Sequence, residues 1–207
     1  DLDYSTTNVQ VAGVDEADIV KTDGEYIYLL KGKSVRVIKA YPADQMVELD
    51  YVSFGDGNFY AEDMYVDNDR LVVIGTEYSP IHILYDDYTG AEVPEAESYP
   101  YYGSNVTRVL IFDISNKEDV KLFRELGFDG SYSDSRKVDD VVYLISNKDQ
   151  YYRYDDPMPL IEKTLVPNYS DSADKMIEPV APCDDILYFP GVESTRYMVV
   201  AAIPVDD

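Results

Sequence analysis

One stretch decides the fold of this chain: Ser5-Thr6-Thr7-Asn8-Val9-Gln10-Val11-Ala12-Gly13-Val14-Asp15-Glu16-Ala17-Asp18-Ile19-Val20-Lys21-Thr22-Asp23-Gly24-Glu25-Tyr26-Ile27-Tyr28-Leu29-Leu30. It holds two apolar runs that are separated by Asp23-Gly24, a dipeptide that supplies the positive φ angles of a tight hairpin. The stretch therefore predicts two antiparallel strands joined by a short turn. Similar turns recur at 67–69 and 139–140, so the chain repeats this hairpin in altered form.

The chain reads as three such repeats, each made of short strands between Gly, Asp and Asn. Residues 1–57 are predicted to hold an N-terminal strand and a first unit, 58–130 a second unit with an insert at 77–104, and 131–207 an incomplete third unit with an insert at 147–196. Four-stranded repeats of roughly 40 to 50 residues are typical of β-propeller blades, in which each sheet covers its neighbour's face. We therefore predict an all-β fold of four-stranded antiparallel sheets that form part of a larger propeller ring.

The third unit is predicted to have three strands, at 131–138, 141–146 and 197–204, with its fourth strand outside the chain. Because propellers usually have about four to eight blades, the chain is expected to be the N-terminal part of a longer protein. Residues 8–12 are interpreted as a strand before the first unit, of the kind that completes the last blade of a ring. The open sheet edges and face of such a fragment would favour self-association.

The charge of the chain excludes some partners. Its 17 Lys and Arg residues against 41 Asp and Glu residues give a net charge of -24. Such a surface repels the phosphates of nucleic acids and anionic lipids, so we expect no nucleic-acid partner. No apolar run approaches the roughly 20 residues that cross a bilayer, so no transmembrane segment is expected either. An acidic surface suits an exported, soluble protein, divalent cations or a basic partner.

Tyrosine is the unusual residue, with 21 copies and no tryptophan. Tyrosine favours strands and is enriched where proteins contact partners. We therefore expect a Tyr-rich loop face that contacts a protein or a glycan.

Few residues are suited to catalysis or metal binding. His82 is the only histidine and Cys183 the only cysteine, which removes most nucleophilic triads, most zinc sites and an internal disulfide. The acidic cluster Asp15, Glu16, Asp18 and Asp23 could supply oxygen ligands to calcium, or could cap turns and pair with Lys21. These four are the candidate metal ligands; no catalytic residue and no other cofactor are predicted.

The motif that runs from Thr7 to Gly24 resembles the opening of a family of secreted prokaryotic proteins with a C-terminal β-propeller domain, distantly similar to WD-type repeats. Residues 183–190 and 197–203 are similar to a second segment of that family. The resemblance implies a propeller fold and an extracellular or cell-surface location. It brings no catalytic residues to this chain.

Three functions follow as expectations. The first is a noncatalytic binding or scaffold module outside the cell. The second is a secreted hydrolase or lyase with carboxylates at the mouth of the propeller channel, and the third is a calcium-stabilised structural domain. Acids with raised pKa values in a deep pocket would favour the enzyme, whereas a shallow face of Tyr rings would favour binding.

Overall fold

The computed structural model describes residues 13–55, 57–79, 104–149, 166–174, 176–188, 190–191, 194 and 196–206. This part of the chain is built from β-strands and two 3-10 turns (Ala43–Gln45 and Cys183–Asp185) and contains no α-helix, which confirms the all-β prediction. It also contains no helix with the length and apolar character needed to cross a membrane. The strands, in chain order, are β1 Val14–Asp15, β2 Val20–Thr22, β3 Tyr26–Lys31, β4 Ser34–Lys39, β5 Val47–Ser53, β6 Phe59–Asp67, β7 Arg70–Ser79, β8 Ser104–Asp113, β9 Lys121–Asp129, β10 Ser131–Val138, β11 Val141–Asp149, β12 Asn168–Asp171, β13 Met176–Pro179 and β14 Arg196–Pro204.

The strands form three antiparallel sheets. Sheet one has the order β2-β3-β4-β5, so its strands pair in the sequence in which they occur. Sheet two contains β6-β7-β8-β9, again as a meander, and sheet three contains β10-β11-β14. The described residues therefore form stacked meanders of the kind that propeller blades use, without closing into a ring.

Two strand pairings differ from the predicted organisation. Val14–Asp15 pairs with β10, so sheet three has four strands instead of the expected three. The added strand, β1, is the edge strand beside β10. Asn168–Asp171 pairs with β9, so the β12–β13 hairpin extends sheet two to six strands, although it lies within the insert predicted for the third unit. The predicted strand at 8–12 lies outside the described residues.

The core consists of two clusters, one in each space between neighbouring sheets. Between sheets one and two lie the buried side chains Tyr28, Leu30, Val35, Val37, Phe59, Met64, Leu71, Val73, Leu110, Phe112 and Ile114. Between sheets two and three lie Tyr65, Val72, Ile74, Val109, Ile111, Leu126, Phe128, Val142, Leu144, Val199, Ile203 and Val205. Alternate residues of β7 enter the two clusters, because successive side chains of a strand point to opposite faces. Sheet two is thus covered on both sides.

Residues 13–22, which we call the crossing segment, contact β10 of sheet three and β6 of sheet two and contain β2, the first strand of sheet one. Val14–Asp15 pairs with β10, the first strand of sheet three. Asp18 then forms a two-way backbone bridge with Met64 in β6, with N–O distances of 3.2 Å in both directions. The segment ends as β2, which is itself the first strand of sheet one. One short segment therefore joins the three sheets along one side.

The antiparallel order gives the stack two different ends. At the turn end lie the tight turns that follow β2, β6 and β10, with Asn68 and Asp139 at φ of 48° and 50°. At the insert end, β7 finishes at Ser79, β8 begins at Ser104 and β11 finishes at Asp149. The described residues that precede 80–103 and 150–165 therefore both lie at the insert end.

Candidate functional site

The four predicted calcium ligands are spread along the crossing segment and the turn that follows it. Asp15 lies in β1, and its Oδ1 accepts a hydrogen bond of 2.9 Å from Nζ of Lys21. Lys21 is buried and also donates to the backbone carbonyl of Glu16. This pair is the alternative that the sequence left open, in which a carboxylate of the cluster binds Lys21.

Two of the other three carboxylates, those of Asp18 and Asp23, accept hydrogen bonds from nearby backbone. Asp18 Oδ1 accepts from the amide of Ile19 at 2.7 Å. Asp23 Oδ1 accepts from the amide of Tyr26 at 2.8 Å, and its Oδ2 accepts from the hydroxyl of Tyr28 at 3.1 Å. No three His, Cys, Asp or Glu residues within the described ranges are grouped so that they could hold a metal ion. The calcium site stays a prediction.

A polar seam joins the first strands of sheets two and three. Three alternate residues of β6 each contact β10. The hydroxyl of Tyr132 donates to Asp63 Oδ2 at 2.8 Å. The hydroxyl of Tyr65 and the Oγ of Ser135 are 2.9 Å apart, and Lys137 donates to the carboxylate of Asp67. The same register places Lys137 opposite Asp15 of the crossing segment.

The tyrosines of this seam are held in their neutral form. Burial raises the pKa of Tyr65 to about 12, although its bond with Ser135 acts in the opposite direction. Burial also raises the pKa of Tyr132, and the hydrogen bond to Asp63 adds to the increase. Both phenols therefore keep their protons far above neutral pH, so the seam suits a supporting role rather than proton transfer.

The insert end holds the flanks of both undescribed segments in fixed positions. Ser79 pairs with Ser104 in the β7–β8 ladder, so the two ends of residues 80–103 lie side by side. Asp129 binds both flanks of residues 150–165: its Oδ2 accepts from Lys148 Nζ at 2.6 Å and from the amide of Asn168 at 3.0 Å. The described flanks of both segments thus lie at one end of the sheets, and segments that connect strands at the end of a rigid scaffold commonly carry binding residues.

Two exposed tyrosines lie at the same end. Tyr60, near the start of β6, is 63% exposed, and Tyr78, near the end of β7, is 46% exposed. Tyr60 is paired with Thr76, two residues before Tyr78, so both rings lie on one face of sheet two. Asn105 pairs with Tyr78 and donates to Ser131 Oγ at 2.7 Å. The insert end therefore offers aromatic and amide groups on a fixed support.

The turn end holds an open cavity of about 590 Å³, lined by Gly13, Val14, Asp15, Asp67, Asn68, Lys137, Asp139 and Asp140. The negative charge of the cavity is partly compensated, because the ammonium of Lys137 binds the carboxylate of Asp67 and the carbonyl of Asp139.

A general acid of a glycosidase needs a raised pKa. Among the described carboxylates, those with a clear change are Asp113, whose pKa is lowered by hydrogen bonds from Ser115, and Asp171, whose pKa is lowered by Arg124. Neither suits that role.

The β12–β13 hairpin is attached to sheet two by an ion pair. Arg124 of β9 contacts Asp171 through two nitrogens, with Nε–Oδ2 and Nη2–Oδ2 distances of 3.1 and 2.6 Å. Asp171 also accepts from the amide of Ala173 at 2.9 Å, and its side chain is nearly buried. Phe128 and Tyr169 stack across the same strand pair, with ring centroids 6.3 Å apart. These contacts hold the β12–β13 hairpin, which follows residues 150–165 in the chain, on sheet two.

We expect acid to weaken this attachment. The hydrogen bonds from Arg124 lower the folded-state pKa of Asp171, so the stabilisation is present above the ordinary aspartate pKa of about 3.9 and is lost as the pH falls from there through the lowered value. Asp171→Asn should lower the free energy of unfolding at neutral pH by about 2 kcal/mol, the scale of charge-assisted hydrogen bonds. Urea unfolding at neutral pH and at about pH 3 measures both effects.

The matched control is Asp174→Asn, in the exposed turn of the same hairpin. The loss of stability between neutral and acid pH should be smaller in Asp171→Asn than in the wild type and unchanged in Asp174→Asn. Equal acid sensitivity in all three proteins would contradict the assignment to Asp171.

Sequence reasoning missed the partners of the seam and of the hairpin. The alternation Asp63, Tyr65 and Asp67 in a strand was a usable signal, since it marks a polar face on one side of β6. The pairing of Arg124 with Asp171 joins residues that are 47 positions apart, so no local sequence pattern predicts it.

Comparisons with known proteins agree with this architecture. A family model described as "Beta propeller domain" matches residues 4–207. An uncharacterised protein of Methanocaldococcus jannaschii is 28% identical over 145 residues, which cover 70% of this chain and 17% of that protein. An uncharacterised protein of Archaeoglobus fulgidus is 28% identical over 165 residues, which cover 78% of this chain and 22% of that protein. The chain thus spans about a fifth of the length of these curated relatives, and no solved structure matches it.

Proposed function

Because this chain belongs to the β-propeller domain family, we propose that it is a noncatalytic binding or scaffold module outside the cell, which contacts a glycan or a protein through its insert end. The fold by itself does not decide function, since propellers also host enzymes. The observation that carries the proposal is that the described flanks of two Tyr-rich segments, residues 80–103 and 150–165, lie at the same end of the sheets as the exposed Tyr60 and Tyr78. The extracellular location is proposed from the resemblance of the opening motif to secreted proteins.

The composition of residues 80–103 and 150–165 supports contact with a partner. Residues 80–103 contain five tyrosines and residues 150–165 contain three, so these two segments hold eight of the 21 tyrosines. Tyrosine gives a large, partly polar contact area at a low cost in conformational entropy, which is why binding loops on rigid scaffolds use it. We call the insert end, with the exposed Tyr60 and Tyr78, the Tyr-rich face.

The charge of these two segments limits the kinds of partner that they fit. They contain eight Asp and Glu residues against Arg153 and Lys163. An anionic polymer would be repelled by this excess, because the whole chain is acidic as well. A neutral glycan, an amino-sugar polymer or a basic protein surface fits the Tyr-rich face.

The experiment is a binding assay of the labelled chain on an array of neutral and amino-sugar oligosaccharides. The test variant is Tyr60→Thr with Tyr78→Thr, because threonine keeps the preference for strands while it removes both rings. We expect the double variant to bind about tenfold or more weakly than the wild type, a loss of about 1.4 kcal/mol or more of binding energy.

The control variant is Tyr41→Thr. Tyr41 is 53% exposed, similar to the other two, but lies in the β4–β5 connection at the turn end. Its binding should equal that of the wild type. Binding that both variants keep, or that both lose, would contradict the assignment to the insert end. Release of new reducing ends from a bound glycan would favour the hydrolase or lyase instead.

A further inference from the structure

The chain contains two copies of the sequence Asn-X-Ser/Thr, at which exported proteins receive N-linked glycans. They are Asn105-Val106-Thr107 in β8 and Asn168-Tyr169-Ser170 in β12. So short a sequence also occurs by chance, and it does not by itself assign a site. The structure separates the two asparagines by their exposure and by the hydrogen bonds of their side-chain amides.

Asn105 presents its side-chain amide at the surface. The residue is exposed near the start of β8, and its Nδ2 donates a hydrogen bond of 2.7 Å to Ser131 Oγ. An asparagine amide has two N–H groups, so one can be substituted while the other keeps the bond to Ser131. A glycan on Asn105 is therefore compatible with every described contact of this side chain.

Asn168 is the opposite case. Its side chain is half-buried, and its Nδ2 donates to Asp129 Oδ2 at 3.2 Å and to the carbonyl of Val166 at 3.3 Å. Both N–H groups of the amide are therefore in use. A glycan on Asn168 would replace at least one of these bonds and would disturb Asp129, which also binds Lys148.

The position of Asn105 connects it with the Tyr-rich face. Asn105 is opposite Tyr78 in the β7–β8 ladder, so the two side chains lie on the same face of sheet two. Directly opposite residues of antiparallel strands have Cβ atoms roughly 5 Å apart. The first sugar of a glycan on Asn105 would therefore lie beside the exposed ring of Tyr78.

The fold also determines when the glycan can be added. Thr107 is buried, and its hydroxyl donates to the carbonyl of Gly130 at 3.0 Å. A transferase that binds Asn105-Val106-Thr107 as a unit therefore needs the chain before β8 takes its place in sheet two. The transfer belongs to the export of the chain, before folding is complete.

We propose that Asn105 is the N-glycosylation site of this chain and that its glycan limits access to the Tyr-rich face. The proposal rests on the extracellular location and the binding face proposed above. The sugar donor is a lipid-linked oligosaccharide. Asn105 Nδ2 forms a bond to C1 of the first sugar, the bond between C1 and the lipid phosphate breaks, the lipid phosphate leaves with the electron pair, and Nδ2 releases one proton.

The first test is secretion of the chain, behind an added signal peptide, from a eukaryotic host that N-glycosylates exported proteins. An amidase then removes the glycan and converts its asparagine to aspartate, which peptide mass spectrometry locates. We expect one glycan, on Asn105, that is absent from Asn105→Gln and present in the matched control Asn168→Gln. A glycan on Asn168, or a secreted wild type without a glycan, would overturn the proposal. Because the signal peptide is added, neither result depends on the natural location of the chain.

The second test compares binding to the oligosaccharide array by wild type from this host and by wild type from a host without N-glycosylation. The glycosylated chain should bind more weakly, by up to the roughly tenfold loss expected when both rings are removed. Asn105→Gln should bind equally from both hosts. Equal binding by both wild types would show that the glycan does not limit access to the face. Absence of binding from either host would contradict the proposed function, whereas the mass spectrum would still decide the glycosylation site.

Discussion

We expect Gly75→Ala to lower the free energy of unfolding by about 3 kcal/mol, at the upper end of the range for overpacking in a core. A Cβ atom at position 75 would lie 2.1 Å from the carbonyl oxygen of Tyr60 and 2.7 Å from the Cα of Ala61. Both atoms belong to the backbone of the neighbouring strand, so no side chain can rotate away. Strands β6 and β7 would have to separate beside the β-bulge that follows Ala61.

Gly57→Ala is the matched control for this prediction. A Cβ atom there meets no heavy atom within 4 Å, and its backbone is not in the left-handed region. Urea unfolding should give the same midpoint for Gly57→Ala as for the wild type and a clearly lower one for Gly75→Ala. If the two variants are equally stable, the close approach of β6 and β7 is wrong. Since Tyr60 and Tyr78 lie on these two strands, Gly75→Ala should also weaken binding at the insert end.

We expect Lys21→Met to lower the free energy of unfolding by about 2 kcal/mol. Lys21 is 5% exposed, and its ammonium binds Asp15 and the carbonyl of Glu16 and lies 5.7 Å from the ring centre of Tyr65. Removing one member of a buried ion pair costs about 3 to 5 kcal/mol. The smaller value is expected here because Asp15 is one-third exposed and can be hydrated when the lysine is lost.

A double-mutant cycle separates the ion pair from the packing of the lysine stem. Asp15→Asn combined with Lys21→Met should cost less than the sum of the two single changes, since the second change removes a charge that has already lost its partner. The control is Lys121→Met, whose ion pair with Asp119 is exposed, and its midpoint should not change. Additive costs in the cycle would show that Asp15 and Lys21 do not interact.

The meanders of the sheets could be predicted because their signals are local. Alternating apolar residues and Asp- or Asn-containing turns identified Ser34–Lys39 and Ser131–Val138 with their observed bounds. The opening motif also indicated the β-propeller family, which the family match confirms. Periodicity and turn chemistry depend on residues that are close in sequence, so these signals can be detected in a single sequence.

The contacts between sheets could not be predicted in the same way. Val14–Asp15 pairs with β10, and the β12–β13 hairpin pairs with β9, and both pairings join parts of the chain that no periodic pattern relates. The short strand β1 also has too few residues to show an alternation. Reasoning from composition predicted a Tyr-rich face but gave it no position, since the location of Tyr60 and Tyr78 depends on which strand ends lie together.

The crossing segment affects the order in which the strand pairings of the chain can form. Asp15 precedes its partner strand around Lys137 by more than a hundred residues, and the meanders β2–β5 and β6–β9 are synthesised between them. Contacts between such distant positions form late, because the intervening chain must first be ordered. The meanders β2–β5 and β6–β9 can therefore assemble during synthesis before Val14–Asp15 meets its partner strand, so this pairing closes one side of the stack only after both meanders exist.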